Sequence, residues 1–225
     1  MSEATDIRSF TVAVLGGTGD QGRGLAFRFA KAGVRVLIGS RAADRAHTAA
    51  VELNEASGTD LVAGADNEEV ARRCGIAVIA VPWQAHRATI ESVARQLAGK
   101  IVIDCVNPLG FDERGPYRLP VSEGSAAEQA ASLLPGSRVV AAFHHVSAVT
   151  LSDPAITDLE LDVMVLGEDR DATDIVALLA ETLPGVRGVF GGRLRNAGQV
   201  EALTANLIAI NRRFKTHAGI RITGM

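Results

Sequence analysis

Aromatic side chains are scarce: one tryptophan, one tyrosine and seven phenylalanines make up 4% of the 225 residues. A stacking platform for nucleic-acid bases needs such rings, so that class of partner is disfavoured. Positive charge is not in excess either. The 23 Lys and Arg against 26 Asp and Glu leave a net charge of -3, which gives polyphosphate no electrostatic pull. Cysteine is nearly absent; Cys74 and Cys105 form no CxxC pair and lie in or beside apolar runs. Buried free thiols are therefore expected, not a disulfide or a metal site. No apolar stretch reaches the roughly 20 residues of a membrane span. The segment from Met1 to Phe10, with Glu3, Asp6 and Arg8, lacks the apolar run of a signal peptide. Together these absences predict a cytoplasmic protein that meets neither membrane nor nucleic acid.

What is present is an ordinary globular composition, 47% hydrophobic and 22% charged. The length allows one domain, or a full domain with a smaller one attached. Short apolar runs alternate with amphipathic stretches. Strands are predicted at 11–15, 34–38, 61–63, 76–81 and 101–106, separated by helices at 22–32, 42–56, 68–73 and 86–97. Such alternation with short connections means a parallel sheet covered by helices on both faces. From Leu109 to Gly124 the pattern breaks around Gly110, Gly115, Pro116 and Pro120, and a long surface loop is predicted. A helix (125–134), strands at 139–143, 162–166 and 186–190, and helices at 172–183 and 197–214 complete the chain.

The first strand runs into Gly17-Thr18-Gly19-Asp20-Gln21-Gly22, a GxGxxG loop at the mouth of a helix. In that setting Gly17 permits the turn, Gly19 admits a pyrophosphate, and Gly22 lets helix and strand approach. The helix N-terminus attracts the diphosphate. This is a dinucleotide site on a Rossmann-type α/β sheet. The second strand then ends Gly39-Ser40-Arg41, with no acid before Asp44. A carboxylate there would hold the free ribose hydroxyls of NAD. Ser40 and Arg41, helped by Thr18 and by Arg45 one turn on, suit a 2′-phosphate and hence NADP(H).

Beyond the carboxyl ends of the strands lie Val81-Pro82-Trp83-Gln84, Asn107-Pro108-Leu109 and His144-His145-Val146-Ser147-Ala148. Ligands of open parallel sheets bind there. Two adjacent histidines on a strand would point to opposite faces, so at most one is expected in a cleft. No HExxH, HxxxH, paired-carboxylate or GxSxG pattern accompanies them. Metal catalysis and a nucleophilic serine are not indicated, and no catalytic acid or base is assigned.

The segments Val14 to Gly22, Gly39-Ser40-Arg41, Val81-Pro82-Trp83, Phe143-His144 and Glu201-Ala202-Leu203-Thr204 together resemble the F420-dependent NADP oxidoreductase family, over roughly Thr11 to Ile220. The resemblance implies hydride exchange between NADPH and the deazaflavin coenzyme F420, driven by proximity. It implies that Thr18, Gly19, Asp20, Gln21, Ser40, Arg41 and Arg45 hold NADP. Val81, Trp83, Asn107 and Ala148 would line the nicotinamide, and His144, Val146 and Thr204 would meet F420. It also implies an NADP-binding domain at 1–148, a small C-terminal domain at 149–225 closing the F420 cleft, and a homodimer. The chain departs from the family pattern at Ala202, Ser147 and the 104–109 loop. Two other readings fit the residues alone: an NADPH-dependent reductase of another small acceptor, and a non-catalytic NADP sensor. For the helix at 197–214, apolar on more than one stripe, a subunit contact is expected.

Overall fold

The computed structural model describes residues 5–225; the first four residues of the polar N-terminal segment read above lie outside them. Ten strands and eight α-helices follow in the described residues. They are β1 Thr11–Leu15, α1 Asp20–Lys31, β2 Arg35–Ser40, α2 Ala43–Ser57, β3 Val62–Asp66, α3 Asn67–Arg73, β4 Ile76–Ile79, α4 Trp83–Leu97 and β5 Ile101–Asp104. Then come β6 Leu109–Asp112, β7 Gly115–Arg118, α5 Ala126–Leu133, β8 Arg138–Ala141, α6 Ala148–Ser152, β9 Leu161–Gly167, α7 Arg170–Ala180, β10 Val186–Gly192 and α8 Ala197–Phe214.

Eight strands form one sheet in the order β10-β9-β8-β5-β4-β1-β2-β3. Six of them, from β3 to β8, pair in parallel and follow the doubly wound order that reverses between β1 and β4. At such a reversal the two neighbouring connections leave to opposite faces and open a crevice. The sheet is not parallel throughout. β9 pairs antiparallel with β8 through Val140 opposite Gly167 and Ala141 opposite Leu166, and β10 is parallel to β9.

Alternation along β1 sends Val12 and Val14 to one face and Ala13 and Leu15 to the other. The first pair packs in one cluster with Leu25 and Phe29 of α1, and with Val176 and Leu179 of α7. The second packs with Val70 of α3, Ile90 and Val93 of α4, and Val200 of α8. With both faces covered, the strands are apolar at consecutive positions, as the sequence shows. Cys74 and Cys105 are buried and unpaired.

Two expectations are corrected. The stretch after Pro108 is not an unstructured loop: β6 and β7 form an antiparallel hairpin, with Gly110 opposite Tyr117. The Tyr117 ring lies where a Cβ on Gly110 would sit, 2.5 Å from its Cζ, so the aromatic covers a residue with no side chain to pair. The strand read at 139–143 stops at Ala141, and both histidines lie past its end. There Phe143 takes a left-handed φ of 64°, rare for a bulky residue.

Candidate active site

The crevice between the ends of β1 and β4 is built on glycine. Gly16, just outside the GxGxxG motif, has the left-handed φ of 79°, and a Cβ on it would lie 2.6 Å from the Ala80 carbonyl oxygen. The turn assigned to Gly17 is thus made one residue earlier. Gly17 instead packs flat, because a Cβ there would meet Ile38 Cδ1 and the Val14 carbonyl at 2.8 Å. Gly22 touches Gly17, 2.7 Å from Cβ position to Cα, which draws α1 close to the loop. Gly19 caps α1 without a side chain, and its open side has only the Gly16 carbonyl within reach, at 3.5 Å. Backbone amides at a bare helix start favour an anion.

A cleft of about 470 Å³ leads from this loop past Thr18 and Gly19 to Ser40, Arg41 and Arg45, with Asn67 and Thr89 on its far wall. Ser40 is buried at the end of β2, and its Oγ accepts from the Ala42 amide at 3.3 Å. That bond leaves the hydroxyl proton free to donate. Arg41 and Arg45 are exposed, and neither engages a carboxylate among the described residues. The pocket therefore offers a hydroxyl and two guanidinium groups and no acid, a donor set that fits a phosphate monoester and not a pair of ribose hydroxyls. Asn67 adds a buried Oδ1 with no partner. It opens α3 after β3, and nothing in the sequence ties it to the glycine loop.

Around Gly19, Ala80, Val81 and Pro82 this cleft joins a second one of about 300 Å³, lined also by Asp20, Gln21, Trp83, Cys105, Val106 and Asn107. The structure thus brings together two groups of the sequence candidates. Thr18, Gly19, Ser40, Arg41, Arg45 and Val81 line the larger cleft; Gly19, Asp20, Gln21, Val81, Trp83 and Asn107 line the smaller. Burial drives the Cys105 thiol pKa far up, and its Sγ donates to the Ile79 carbonyl at 3.1 Å, so it supplies no thiolate.

The remaining candidates sit behind the smaller cleft. His144 and Val146 are both buried, 3% and 4% exposed, and Ala148 opens α6 where it lies against Gly24 of α1. None of the three lines either cleft. Of the three, His144 is nonetheless tied to it. Asn107 Nδ2 donates to the His144 carbonyl at 2.8 Å, Thr204 Oγ1 donates to the same oxygen at 3.0 Å, and Gln21 Nε2 donates to the Phe143 carbonyl at 3.4 Å. Both ring nitrogens of His144 are buried without a partner. Burial lowers the His144 pKa to about 4, so the ring is neutral at physiological pH. His145 is likewise buried and pulled down to about 4, and its Nε2 lies 3.5 Å from the Met164 amide. Both imidazoles are buried and neither lines a cleft, within the expectation of at most one.

One cluster escaped the sequence reading. His86, on the first turn of α4, is wholly buried between Asp104 at the end of β5 and Gln129 of α5. Its Nε2 is 2.6 Å from Asp104 Oδ2 and its Nδ1 is 2.9 Å from Gln129 Oε1. The helix was expected to begin at His86; it begins at Trp83, and only the three-residue step between the two on one helix could have signalled the cluster.

Residues 11–108 match a family model described as NADP oxidoreductase, coenzyme F420-dependent. A protein of Methanothermobacter thermautotrophicus named F420-dependent NADP reductase is 42% identical over 221 residues, 95% of each chain. The chain belongs to the F420-dependent NADP reductase family. The Methanocaldococcus jannaschii protein of the same name is 34% identical, across 95% of this chain and 98% of its own. A solved structure from Arthrobacter sp. FB24, described as a candidate F420-dependent NADP reductase, superposes with a TM-score of 0.81 at 28% identity. It covers 95% of this chain and 99% of its own. The family match ends at Asn107 and Pro108, so it takes in both clefts, while the relatives extend the likeness through α8. Among the described residues no helix is long and apolar enough to cross a membrane, and no cluster of His, Cys, Asp and Glu is set to hold a metal ion.

Proposed function

We propose that this protein moves hydride reversibly between C4 of the nicotinamide of NADP(H) and C5 of the deazaflavin coenzyme F420. The observation that carries the reading is the joined cleft, with an acid-free serine–arginine pocket at one end and the Trp83–Asn107 pocket at the other. Family membership supports the same substrates. Ser40, Arg41 and Arg45 would hold the 2′-phosphate, and the Thr18–Gly19 backbone and the start of α1 would hold the diphosphate. Val81, Trp83 and Asn107 would fix the nicotinamide. The two coenzymes when bound supply the hydride donor and acceptor. This chain's part is to orient two flat rings and to keep water from between them. His144, Val146 and Thr204 are proposed as the deazaflavin side. The hydrogen bonds from Asn107 and Thr204 to the His144 carbonyl, which link that turn to the smaller cleft, support this.

In this reading residues 1–148 carry NADP, while residues 149–225 close the F420 cleft and contribute to a dimer contact in the cytoplasm. Exposed Ile210 and Phe214 on α8, with Tyr117 and Phe111 on the hairpin that packs against it, support a homodimer. Light scattering should then return twice the 23.5 kDa of one chain.

Mixing the protein with NADP and reduced F420, and following the absorbance of oxidised F420 and NADPH, tests the activity. Turnover of both in equal amounts is expected. Tight NADPH binding with no F420 turnover would point to another acceptor or to a sensor.

A further inference from the structure

The buried His86 cluster is not a spare ion pair. Gln129 Nε2 lies 3.2 Å from Glu123 Oε2, and Glu123 also takes the Ser122 hydroxyl and the Arg87 guanidinium. Those donors, the Ser122 hydroxyl foremost, hold Glu123 down at about 2, so it is an acceptor only. The Gln129 amide therefore has its nitrogen towards Glu123 and its oxygen towards His86. His86 Nδ1 must donate to that oxygen. Nε2 faces Asp104 Oδ2, while Asp104 Oδ1 already accepts from the Val106 amide at 3.0 Å. Both ring nitrogens thus point at acceptors. On one side the imidazole meets Trp83, with ring centroids 5.3 Å apart and planes tilted by 35°. That spacing is within the range of a cation over an aromatic face.

We propose that at neutral pH His86 is an imidazolium that positions the nicotinamide end of the cleft. It holds Trp83 by its ring face and, through Asp104, the Val106–Asn107 backbone. The substrate half of the statement rests on the activity proposed above; the charge state of the ring does not. Besides Gln129, which Glu123 orients, two acids face the ring: Asp104 from β5, and Glu201 from α8, whose own carboxyl burial pushes up to about 7 so that it is only partly charged at neutral pH. Burial opposes the charge and is the largest single influence, yet Asp104, Gln129 and Glu201 together outweigh it and raise the pKa above that of free histidine. Nearby His144 is held neutral by burial.

Trp83 is the chain's one tryptophan, so its emission reports on this ring alone. Wild-type protein should show both His86 ring nitrogens protonated in ¹⁵N spectra at pH 7. Its Trp83 emission at pH 7 should be quenched by the charged ring beside it. In Asp104→Asn the amide can donate to Nε2, the imidazole becomes neutral, and emission should rise. Its kcat for NADPH oxidation should fall by about 10- to 100-fold, while KM for NADPH stays within about twofold, since the ribose-phosphate end is untouched. A ring nitrogen without a proton at pH 7 would overturn the proposal, even if the variant fails to fold. So would a folded Asp104→Asn protein with wild-type kcat. Failure of F420 turnover in the wild type would instead sink the proposed function and leave the ring spectra standing.

Discussion

Replacing Arg41 by alanine probes the pocket on which the choice of cofactor depends. Ser40, Arg41 and Arg45 line one end of the 470 Å³ cleft, and no carboxylate stands among its lining residues. A charge-assisted hydrogen bond to phosphate contributes roughly 1.5–3 kcal/mol. Arg41 is exposed, so solvent screening places it at the lower part of that range. Ser40 and Arg45 remain in the variant. A loss of about 1.5–2 kcal/mol follows, which is about a 10- to 30-fold rise in KM for NADPH. NADH has no 2′-phosphate, and its KM should change by less than about twofold. Steady-state kinetics with both cofactors at fixed acceptor reads the two numbers side by side. A converse variant, Ser40→Asp, puts a carboxylate where the strand ends. It should weaken NADPH and strengthen NADH. Equal losses for the two cofactors in Arg41→Ala would refute the argument, because they would place Arg41 away from the only group that distinguishes them.

Gly16→Ala forces a side chain onto a φ of 79° and a Cβ to within 2.6 Å of the Ala80 oxygen; chemical denaturation should show about 2–4 kcal/mol lost. The two buried histidines make the fold acid-sensitive. With folded pKa values near 4 against 6.5 for the free group, the unfolded chain binds more protons between those limits. Stability should therefore hold above pH 6.5 and fall as pH drops towards 4, by up to roughly 3 kcal/mol for each ring, and a His144→Gln, His145→Gln double variant should flatten the slope. Asp162 acts in a lower window. Its buried carboxylate takes Arg187 at 2.7 and 2.6 Å and the Ile222 amide at 2.6 Å. These bonds, Arg187 first, lower its pKa from 3.8 to about 2, so its contribution is complete above 3.8 and disappears as pH falls through 2. Asp162→Asn should lose about 2 kcal/mol at neutral pH and lose its acid response in that window, read by thermal unfolding at stepped pH.

The parts of the fold that announce themselves in sequence are those whose pattern is local. Thr11–Leu15 is apolar between polar and glycine boundaries, and α8 spans the Ala197–Phe214 read from its periodicity. The hairpin β6–β7 was hidden because Gly110, Gly115 and Pro116 suggest a loop, while the pairing of Gly110 with Tyr117 is a tertiary fact. The reversed direction of β9 has no local signature at all, and the five residues of α6 are too few to show a period. The site divides in the same way. The glycine loop and Ser40–Arg41 were visible because their spacing is short and their chemistry explicit. His86 with Asp104 and Gln129, separated by 18 and 43 residues, becomes a cluster only when three elements are stacked.

The turn that carries His144 shows how the two ends of the site are joined. Phe143 holds a left-handed φ of 64°, which costs of order 1–3 kcal/mol in a side chain with a Cβ. It persists because the ring is wholly buried and meets Phe29 edge-on at 6.0 Å, and because Gln21, Asn107 and Thr204 bind the carbonyls of Phe143 and His144. Two of those three donors also line the smaller cleft. A ring seated against Gln21 and Asn107 therefore bears on the same side chains that fix the strained turn, and any shift in them reaches His144 through one hydrogen bond. The imidazole so placed is neutral, with a pKa near 4, and its two unpartnered nitrogens can orient a neighbour without supplying a proton at neutral pH. The hydride step asks for that arrangement, positions held by strain and hydrogen bonds, and the proton that accompanies reduction of the deazaflavin is not drawn from this ring at neutral pH.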